Sequence, residues 1–278
     1  MKTIRTVAEL RDELADRQRV GLVPTMGFLH EGHLSLIRYA REECATVVVS
    51  LFVNPKQFGE GEDLDAYPRD EARDAALAEE CGADILFAPD AAEVYPDGFA
   101  TTVEVAGLTD VMCGAARPGH FAGVTTVVTK LFNMVGPDVA YFGQKDAQQA
   151  LVIRKLARDL DIPVRIEICP TVRETDGLAL SSRNAYLSPE ERERARALNR
   201  SLRAAEAAVA AGHTSADDVL AAAHEQLQQA GIEPEYLELR SAKDLAPVER
   251  VNGSTLLAVA AQVGRARLID NTILTGDQ

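Results

Sequence analysis

Two histidines three residues apart carry the first chemistry legible in this chain. They lie in Pro24-Thr25-Met26-Gly27-Phe28-Leu29-His30-Glu31-Gly32-His33, between the apolar run Val20–Val23 and the amphipathic run Leu34–Glu43. That order reads as strand, glycine-containing turn, helix. His30 and His33 would share one face of the first helical turn. A helix entrance exposes unpaired N–H groups and the positive end of the dipole, which suits a phosphate. Two imidazoles beside it point to chemistry on a nucleotide. A zinc reading would need H-E-x-x-H, with the histidines four apart. The duller alternative is a pair of polar cap residues.

Four further segments have residue types suited to a site. In Phe52-Val53-Asn54-Pro55-Lys56-Gln57-Phe58, amides at a strand end can bond hydroxyls or carboxylates without adding charge. Asn54-Pro55 also reads as a simple turn. Asp63, Asp65, Tyr67 and Arg69 follow, and the two aspartates read as a solvated loop. Arg117-Pro118-Gly119-His120 precedes an apolar helix, where it would suit an anion or be a surface loop. In Phe142-Gly143-Gln144-Lys145-Asp146-Ala147-Gln148-Gln149, Lys145 sits where lysine contacts phosphate as a point charge. Asp146 could hold magnesium or cap the helix, and Gln149 lies one turn on. Finally, Leu180-Ser181-Ser182-Arg183-Asn184 places two hydroxyls and a guanidinium where a mobile segment could close over a triphosphate.

These residues must be held by regular elements. Strands are expected at Val20–Val23, Thr46–Phe52, Asp84–Phe87, Val139–Phe142 and Val164–Ile168, with helices at Leu34–Glu43, Asp70–Cys81, Val124–Val135 and Ala147–Leu160. Such alternation implies an α/β domain with a parallel sheet, whose ligands bind beyond the carboxyl ends of the strands. The pattern changes near Thr171. Ser188-Pro189 reads as an N-cap and first helical residue. Helices Glu190–Ala211 and Ser215–Ala230 and strands Tyr236–Arg240, Leu256–Val263 and Leu268–Asn271 would form a smaller α+β domain. The expected division is 1–172 and 173–278.

Composition narrows the partners. Of 278 residues, 46% are hydrophobic, enough for a sizeable core, and the net charge is -14. Neither expected domain is basic, which argues against nucleic acid. No apolar stretch has transmembrane length, and no signal-peptide-like start is present. Four scattered cysteines without a C-x-x-C pair fit a reduced, cytoplasmic protein. No Walker loop, G-x-G-x-x-G after the first strand, or G-x-S-x-G occurs.

With these segments in view, the chain resembles the pantothenate synthetase (pantoate–β-alanine ligase) family over nearly its whole length. The resemblance rests on Pro24-Thr25-Met26-Gly27, His30-Glu31-Gly32-His33, Phe52-Val53-Asn54-Pro55, Gln57-Phe58, Asp65-Ala66-Tyr67-Pro68-Arg69, Arg117-Pro118-Gly119-His120-Phe121, Phe142-Gly143-Gln144-Lys145-Asp146 and Ser181-Ser182-Arg183-Asn184. H-x-G-H alone belongs to a wider nucleotidyltransferase superfamily; the ordered set is specific. The resemblance implies a Rossmann-like ATP- and pantoate-binding domain of the H-I-G-H type and a C-terminal lid. It also implies a homodimer, magnesium, and a pantoyl-adenylate intermediate on the way to pantothenate, a coenzyme A precursor.

It further implies residue roles. His30, His33, Lys145 and Arg183 would be catalytic, acting on ATP phosphates, with Ser181 and Ser182 in the clamp. Pro24, Thr25, Met26, Gly27, Gly143, Asp146, Thr171, Val172 and Leu180 would complete the ATP site, Asp146 at the ribose. Met26, Gln57 and Gln149 would hold pantoate. Asn54, Tyr67, Arg117 and His120 fall in supporting or loop positions, and Asp74 would assist magnesium. Leu180 stands where the family usually has Met, a nearly volume-conserving change. Ala147 replaces a common aromatic. Two rivals remain at this stage, another nucleotidyltransferase and a nucleotide-binding protein without catalysis. A small aminoacyl-tRNA synthetase-like protein is disfavoured by acidity in both domains. The first rival lacks a reason for the glutamine pair, and the second for His30, His33, Lys145 and Arg183 together.

Overall fold

Apolar runs of five or six residues are too short for a helix that buries one stripe, and they form parallel strands instead. The computed structural model describes residues 1–62 and 64–276; Asp63 lies outside the described residues. Six strands form one parallel sheet: β1 (Lys2–Ile4), β2 (Val20–Thr25), β3 (Thr46–Leu51), β4 (Ile85–Phe87), β5 (Val139–Gly143) and β6 (Arg165–Cys169). Their spatial order is β1-β4-β3-β2-β5-β6. Between them run α1 (Val7–Leu14), α2 (Glu31–Glu43), α3 (Glu71–Glu80), α4 (Ala91–Val94), α5 (Met112–Ala116), α6 (His120–Val135) and α7 (Ala147–Asp159). The expected α/β Rossmann-like class is therefore the observed one.

Chain contacts divide the molecule into two units. The first comprises residues 1–110, 117–144 and 149–170; the second comprises 111–116, 145–148 and 171–278. In the first, the order of strands reverses between β2 and β5. All six residues of β2 pair with β3, but only Gly21 and Leu22 pair with β5. Beyond Leu22, β2 pairs with β3 alone. Such reversals are where open α/β sheets bind ligands. Helix α2 packs on β2, β3 and β5, burying Leu34, Leu36, Ile37 and Ala40 on one stripe.

The second unit contains α8 (Pro189–Ala195), α9 (Ala197–Ala210), α10 (Ala216–Gln229), β7 (Pro234–Ser241), β8 (Gly253–Val263) and β9 (Ala266–Gly276). The three strands form an antiparallel sheet, β7-β8-β9. Leu198, Leu202, Val219 and Leu227 from the helices and Leu257 and Val259 from β8 belong to its core. Ser188 and Glu191 form the capping box that starts α8, with Pro189 first in the helix. The single expected helix over 190–211 is two helices, α8 and α9, separated at Arg196. Its backbone bonds continue across the break, from Arg196 N to Arg192 O (3.3 Å) and from Arg200 N to Arg196 O (3.1 Å). The Arg196 side chain instead reaches the Asp176 carbonyl at 3.3 Å.

Other differences have local causes. Strand β1 and helices α1, α4 and α5 were not expected; each spans eight residues or fewer, too short for a periodicity signal. Helix α6 begins at His120, four residues before the expected Val124. Gly119 at φ 81° supplies the left-handed turn that admits the chain to the helix there.

Candidate active site

The site begins where β2 ends. Pro24 and Thr25 are the last residues of β2, Thr25 donating its hydroxyl to the Ser50 carbonyl at 2.8 Å. The chain then reverses through Met26, Gly27 and Phe28. Gly27 has φ 89°, and a Cβ there would stand 2.9 Å from a Leu51 methyl. Phe28 takes φ 50°, a strained conformation for a bulky residue. A buried carboxylate holds this turn. The two oxygens of Asp74, from α3, accept the Phe28 and Leu29 N–H groups, each at 2.7 Å.

Asp74, expected to assist magnesium, has a structural task in this fold. It is 1% exposed, and each oxygen already accepts a backbone amide. Burial pushes its carboxyl up while those amides pull it down. Its visible work is to fasten the turn that delivers the histidines. Among the described residues, no group of three or more His, Cys, Asp or Glu side chains stands together as a metal cage would require.

Helix α2 follows with His30 as its N-cap. The rings of His30 and His33 stack, centroids 4.1 Å apart and planes 30° from parallel. His33 Nδ1 accepts the His30 backbone N–H at 3.4 Å. A neutral His33 therefore carries its proton on Nε2, as a donor. Both imidazoles sit at the positive end of a 13-residue helix, in an environment that attracts anions.

A chain of side-chain amides lies at the end of β3. Buried Asn54 accepts the Lys56 N–H at 3.3 Å and the Tyr95 hydroxyl at 2.8 Å. Its NH2 donates to the Gly123 carbonyl at 3.1 Å and to Gln57 Oε1 at 3.0 Å. Lys56 N–H can only donate and Gly123 C=O can only accept, so the direction of the Asn54 amide is determined. Gln57 then presents its NH2, now 3.2 Å from Met26 Sδ. Expected pantoate residues Met26 and Gln57 are brought into contact. Tyr95, which sequence reasoning missed, joins this network; its only local signal is a tyrosine beside Pro96. Burial pushes its hydroxyl up to about 12, so it stays a donor at neutral pH.

Arg117 and His120 work on the backbone of Gln57. His120 Nδ1 lies 2.8 Å and Arg117 Nη2 3.3 Å from the Gln57 carbonyl. His120 Nε2 is 3.1 Å from Arg117 Nη1. A carbonyl only accepts and a guanidinium only donates, which makes His120 a neutral ring protonated on Nδ1. Glu62 takes the other edge of Arg117 at 2.8 and 2.6 Å. The anion suited to Arg117 is thus a carboxylate of this chain. Tyr67 is buried edge-on against Phe58, centroids 6.0 Å apart. Arg69 staples the same loop through the Tyr67 and Leu64 carbonyls, and Asp65 is exposed.

Gly143 ends β5, and the turn Gln144–Asp146 leads into α7. Gln149 is half-buried in the first turn of that helix. Lys145 Nζ lies 3.8 Å from Asp146 Oδ2, with the side chains 20% and 47% exposed. Within the second unit, the Lys145 carbonyl accepts from Asn271 Nδ2 at 2.8 Å. Thr171 Oγ1 is buried without a hydrogen-bond partner among the described residues. Val172 accepts the Leu180 N–H at 3.0 Å, closing the neck of the segment that follows. Ser181 caps the turn Ser182–Tyr186 through the Arg183 N–H at 3.3 Å. Ser182 and Arg183 are half-buried there. This segment is fastened to its own unit: Arg192 binds Glu174 at 2.6 Å and Asp176 at 2.8 Å.

Comparison with known proteins shows the family to which this fold and these motifs belong. The family model described as pantoate-beta-alanine ligase matches residues 2–273. The pantothenate synthetase of Moorella thermoacetica is 53% identical over 99% of both chains, and that of Rhizorhabdus wittichii 54% over 98% of both. Among solved structures, the pantothenate synthetase of Thermus thermophilus superposes with a TM-score of 0.95 at 50% identity, covering 99% of this chain and 100% of that one. The pantoate-beta-alanine ligase of Francisella tularensis, complexed with beta-gamma ATP and beta-alanine, gives 0.82 at 33%, covering 98% and 97%. Carrying the ordered motifs, the fold and the full-length match together, the chain belongs to the pantoate–β-alanine ligase family of enzymes.

Proposed function

We propose that this enzyme uses ATP to join pantoate and β-alanine, giving pantothenate, AMP and pyrophosphate through pantoyl adenylate. In the first step a pantoate carboxylate oxygen bonds to the α-phosphorus and the bond to the pyrophosphate oxygen breaks. In the second, the β-alanine amine forms a C–N bond to the acyl carbon, AMP leaves with the carboxyl oxygen, and the amine loses a proton. Pantothenate made this way would feed coenzyme A synthesis. The observation that carries the reading is the stacked His30–His33 pair at the α2 entrance, beyond the last paired residues of β2 and β5.

One anion attacking another needs donors and cations aimed at the phosphate, and positioning more than covalent chemistry. His30 and His33 offer ring donors backed by the helix terminus, stabilising charge as pyrophosphate leaves. Pro24, Thr25, Met26 and Gly27 bring the backbone close to the nucleotide. In the second unit, by motif position, Lys145 and Arg183 supply point charge and a guanidinium to phosphates, with Ser181 and Ser182 as hydroxyl donors. Gly143, Asp146, Thr171, Val172 and Leu180 take the nucleoside; the buried, unpartnered Thr171 hydroxyl favours a ligand group there. Gln57, with its NH2 turned outward, and Gln149 hold the polar groups of pantoate against Met26. Residues 1–172 would bind ATP and pantoate, with 173–278 as lid.

Magnesium fits as a companion of ATP rather than of a protein cage. Magnesium characteristically keeps several waters and binds substrate phosphates, so it would need few protein ligands here, where Asp74 is engaged by two amides. Bound there, it would neutralise charge on the phosphates. We also propose a homodimer in a reduced cytoplasmic setting. Support for the setting comes from four free cysteines and from the lack, among the described residues, of any helix long and apolar enough to cross a membrane.

The test is pantoate-dependent exchange of labelled pyrophosphate into ATP without β-alanine. Exchange is expected. Its absence in folded protein that still makes pantothenate would exclude the adenylate route.

A further inference from the structure

Strand β9 contains two adjacent polar residues that are almost wholly buried, Asp270 at 3% and Asn271 at 5% exposure. Neighbouring Leu268 and Leu274 belong to the hydrophobic core of the second unit. Burying a carboxylate and an amide in such a strand is costly unless each is fully engaged. The engagement here is directional. Both Asp270 oxygens receive Arg173, Oδ2 from Nη1 at 2.6 Å and Oδ1 from Nη2 at 3.0 Å. Oδ1 also accepts the Asn271 N–H at 2.8 Å. Asn271 Nδ2 in turn donates to the Lys145 carbonyl at 2.8 Å.

We propose that Asn271, braced by Asp270, is a positioning residue that sets Lys145 for its phosphate and ties it to the segment bearing Ser181–Arg183. The inference rests on the reading of Lys145 as a phosphate contact. Lys145 sits in a three-residue turn, so its backbone is held by few bonds of regular structure. The Asn271 amide fixes the peptide after Lys145 and thereby the origin of a long, flexible side chain. Arg173 stands at the neck of the other segment. It pairs with Ala179 in a β-bridge and also binds the Gly177 carbonyl at 3.2 Å. One strand therefore grips the lysine turn and the root of the serine–arginine segment. The turn residues 145–148 group with the second unit, although the strand that delivers them belongs to the first. A misplacement of about 1 Å in such a group can cost on the order of 100-fold.

The test is a double-mutant cycle on ATP affinity, measured calorimetrically with the full chain and magnesium. Asn271→Ala is expected to weaken ATP binding roughly 10-fold and to leave pantoate KM within about threefold, with Lys145→Ala weakening ATP binding at least as much. In the Lys145→Ala background, Asn271→Ala is expected to add less than about twofold, since the side chain it positions is gone. Multiplying effects, or unchanged ATP affinity in folded Asn271→Ala, would overturn the inference while leaving the site reading intact. If Lys145→Ala alone binds ATP and turns over normally, the site reading falls and the inference with it. Should Asn271→Ala not fold, Asn271→Asp keeps the shape, removes the donor, and is read by the same cycle.

Discussion

Each residue of the site is defined by what its neighbours can donate or accept. His30 and His33 are stacked at a helix terminus, so removing one takes away a donor and leaves the other without its ring partner. His30→Ala or Lys145→Ala is expected to lower pantoate-dependent pyrophosphate exchange at least about 100-fold, the scale of losing an electrostatic stabiliser. Near-wild-type rates in either variant would show that the motif positions are misassigned. Asp74 makes a sharper test because two roles compete for it. Asn at this position would turn an NH2 toward one of the two amides that the carboxylate now accepts. Asp74→Asn should therefore lower Tm by several degrees without altering the magnesium concentration that half-saturates the residual activity. A shift in magnesium demand at unchanged Tm would restore the metal role.

Elements place these residues through close approaches that leave no room for side chains. Helix α6 meets the turn Pro55–Gln57 at Gly123, where an added Cβ would stand 2.2 Å from the Lys56 carbonyl oxygen. The same contact brings the Gly123 carbonyl within reach of Asn54, which in turn directs Gln57. Gly123→Ala must push the helix off the turn. It is expected to cost about 1–3 kcal/mol, as overpacking does, and to raise pantoate KM more than ATP KM. Equal stability to wild type in thermal melts would show that the two elements slide without penalty. The end of β2–β5 pairing after Leu22 is a second element-level effect, since it leaves the last residues of β2, which lead into the turn before α2, paired with β3 alone.

At the scale of the molecule, charge and acidity act through the fold. Glu62 is held well below its ordinary 4.5, at about 2, chiefly by its bond to Arg117. An acid depressed in the folded state contributes stability above its unfolded value, and that contribution is lost as pH falls from 4.5 toward 2. Relative to Glu62→Gln, wild type is expected to melt higher at neutral pH, with the difference shrinking below pH 4.5. A gap unchanged down to about pH 3 would mean that the pair adds no acid-sensitive stability. A net charge of -14 also opposes the compact state, so Tm at pH 7 should rise as salt screens it. Insensitivity between about 10 and 300 mM NaCl would locate the repulsion in pairs already neutralised by their own arginines.

Much of this protein is written locally. The five strands and four helices expected for the sheet domain all occur, because a continuous apolar run or a 3.6-residue stripe is a short-range property. The His30-Glu31-Gly32-His33 entrance and the Ser188-Pro189 helix start were legible for the same reason: capping depends on neighbours within one turn. The division after residue 172 and the individual site roles remain proposals. What sequence could not determine was direction and partnership across long separations. Asp74 anchors a turn 46 positions away, Tyr95 orients an amide 41 positions away, and Asn271 holds Lys145 across 126. No periodicity records such pairs. The sequence by itself determined the family chemistry and the order of elements, since both reside in contiguous motifs. Only the tertiary structure decided which way the Asn54 and Gln57 amides point, which backbone groups Asp74 holds, and what holds the lysine turn, because a buried polar group acquires its role from whichever partner folding brings to it.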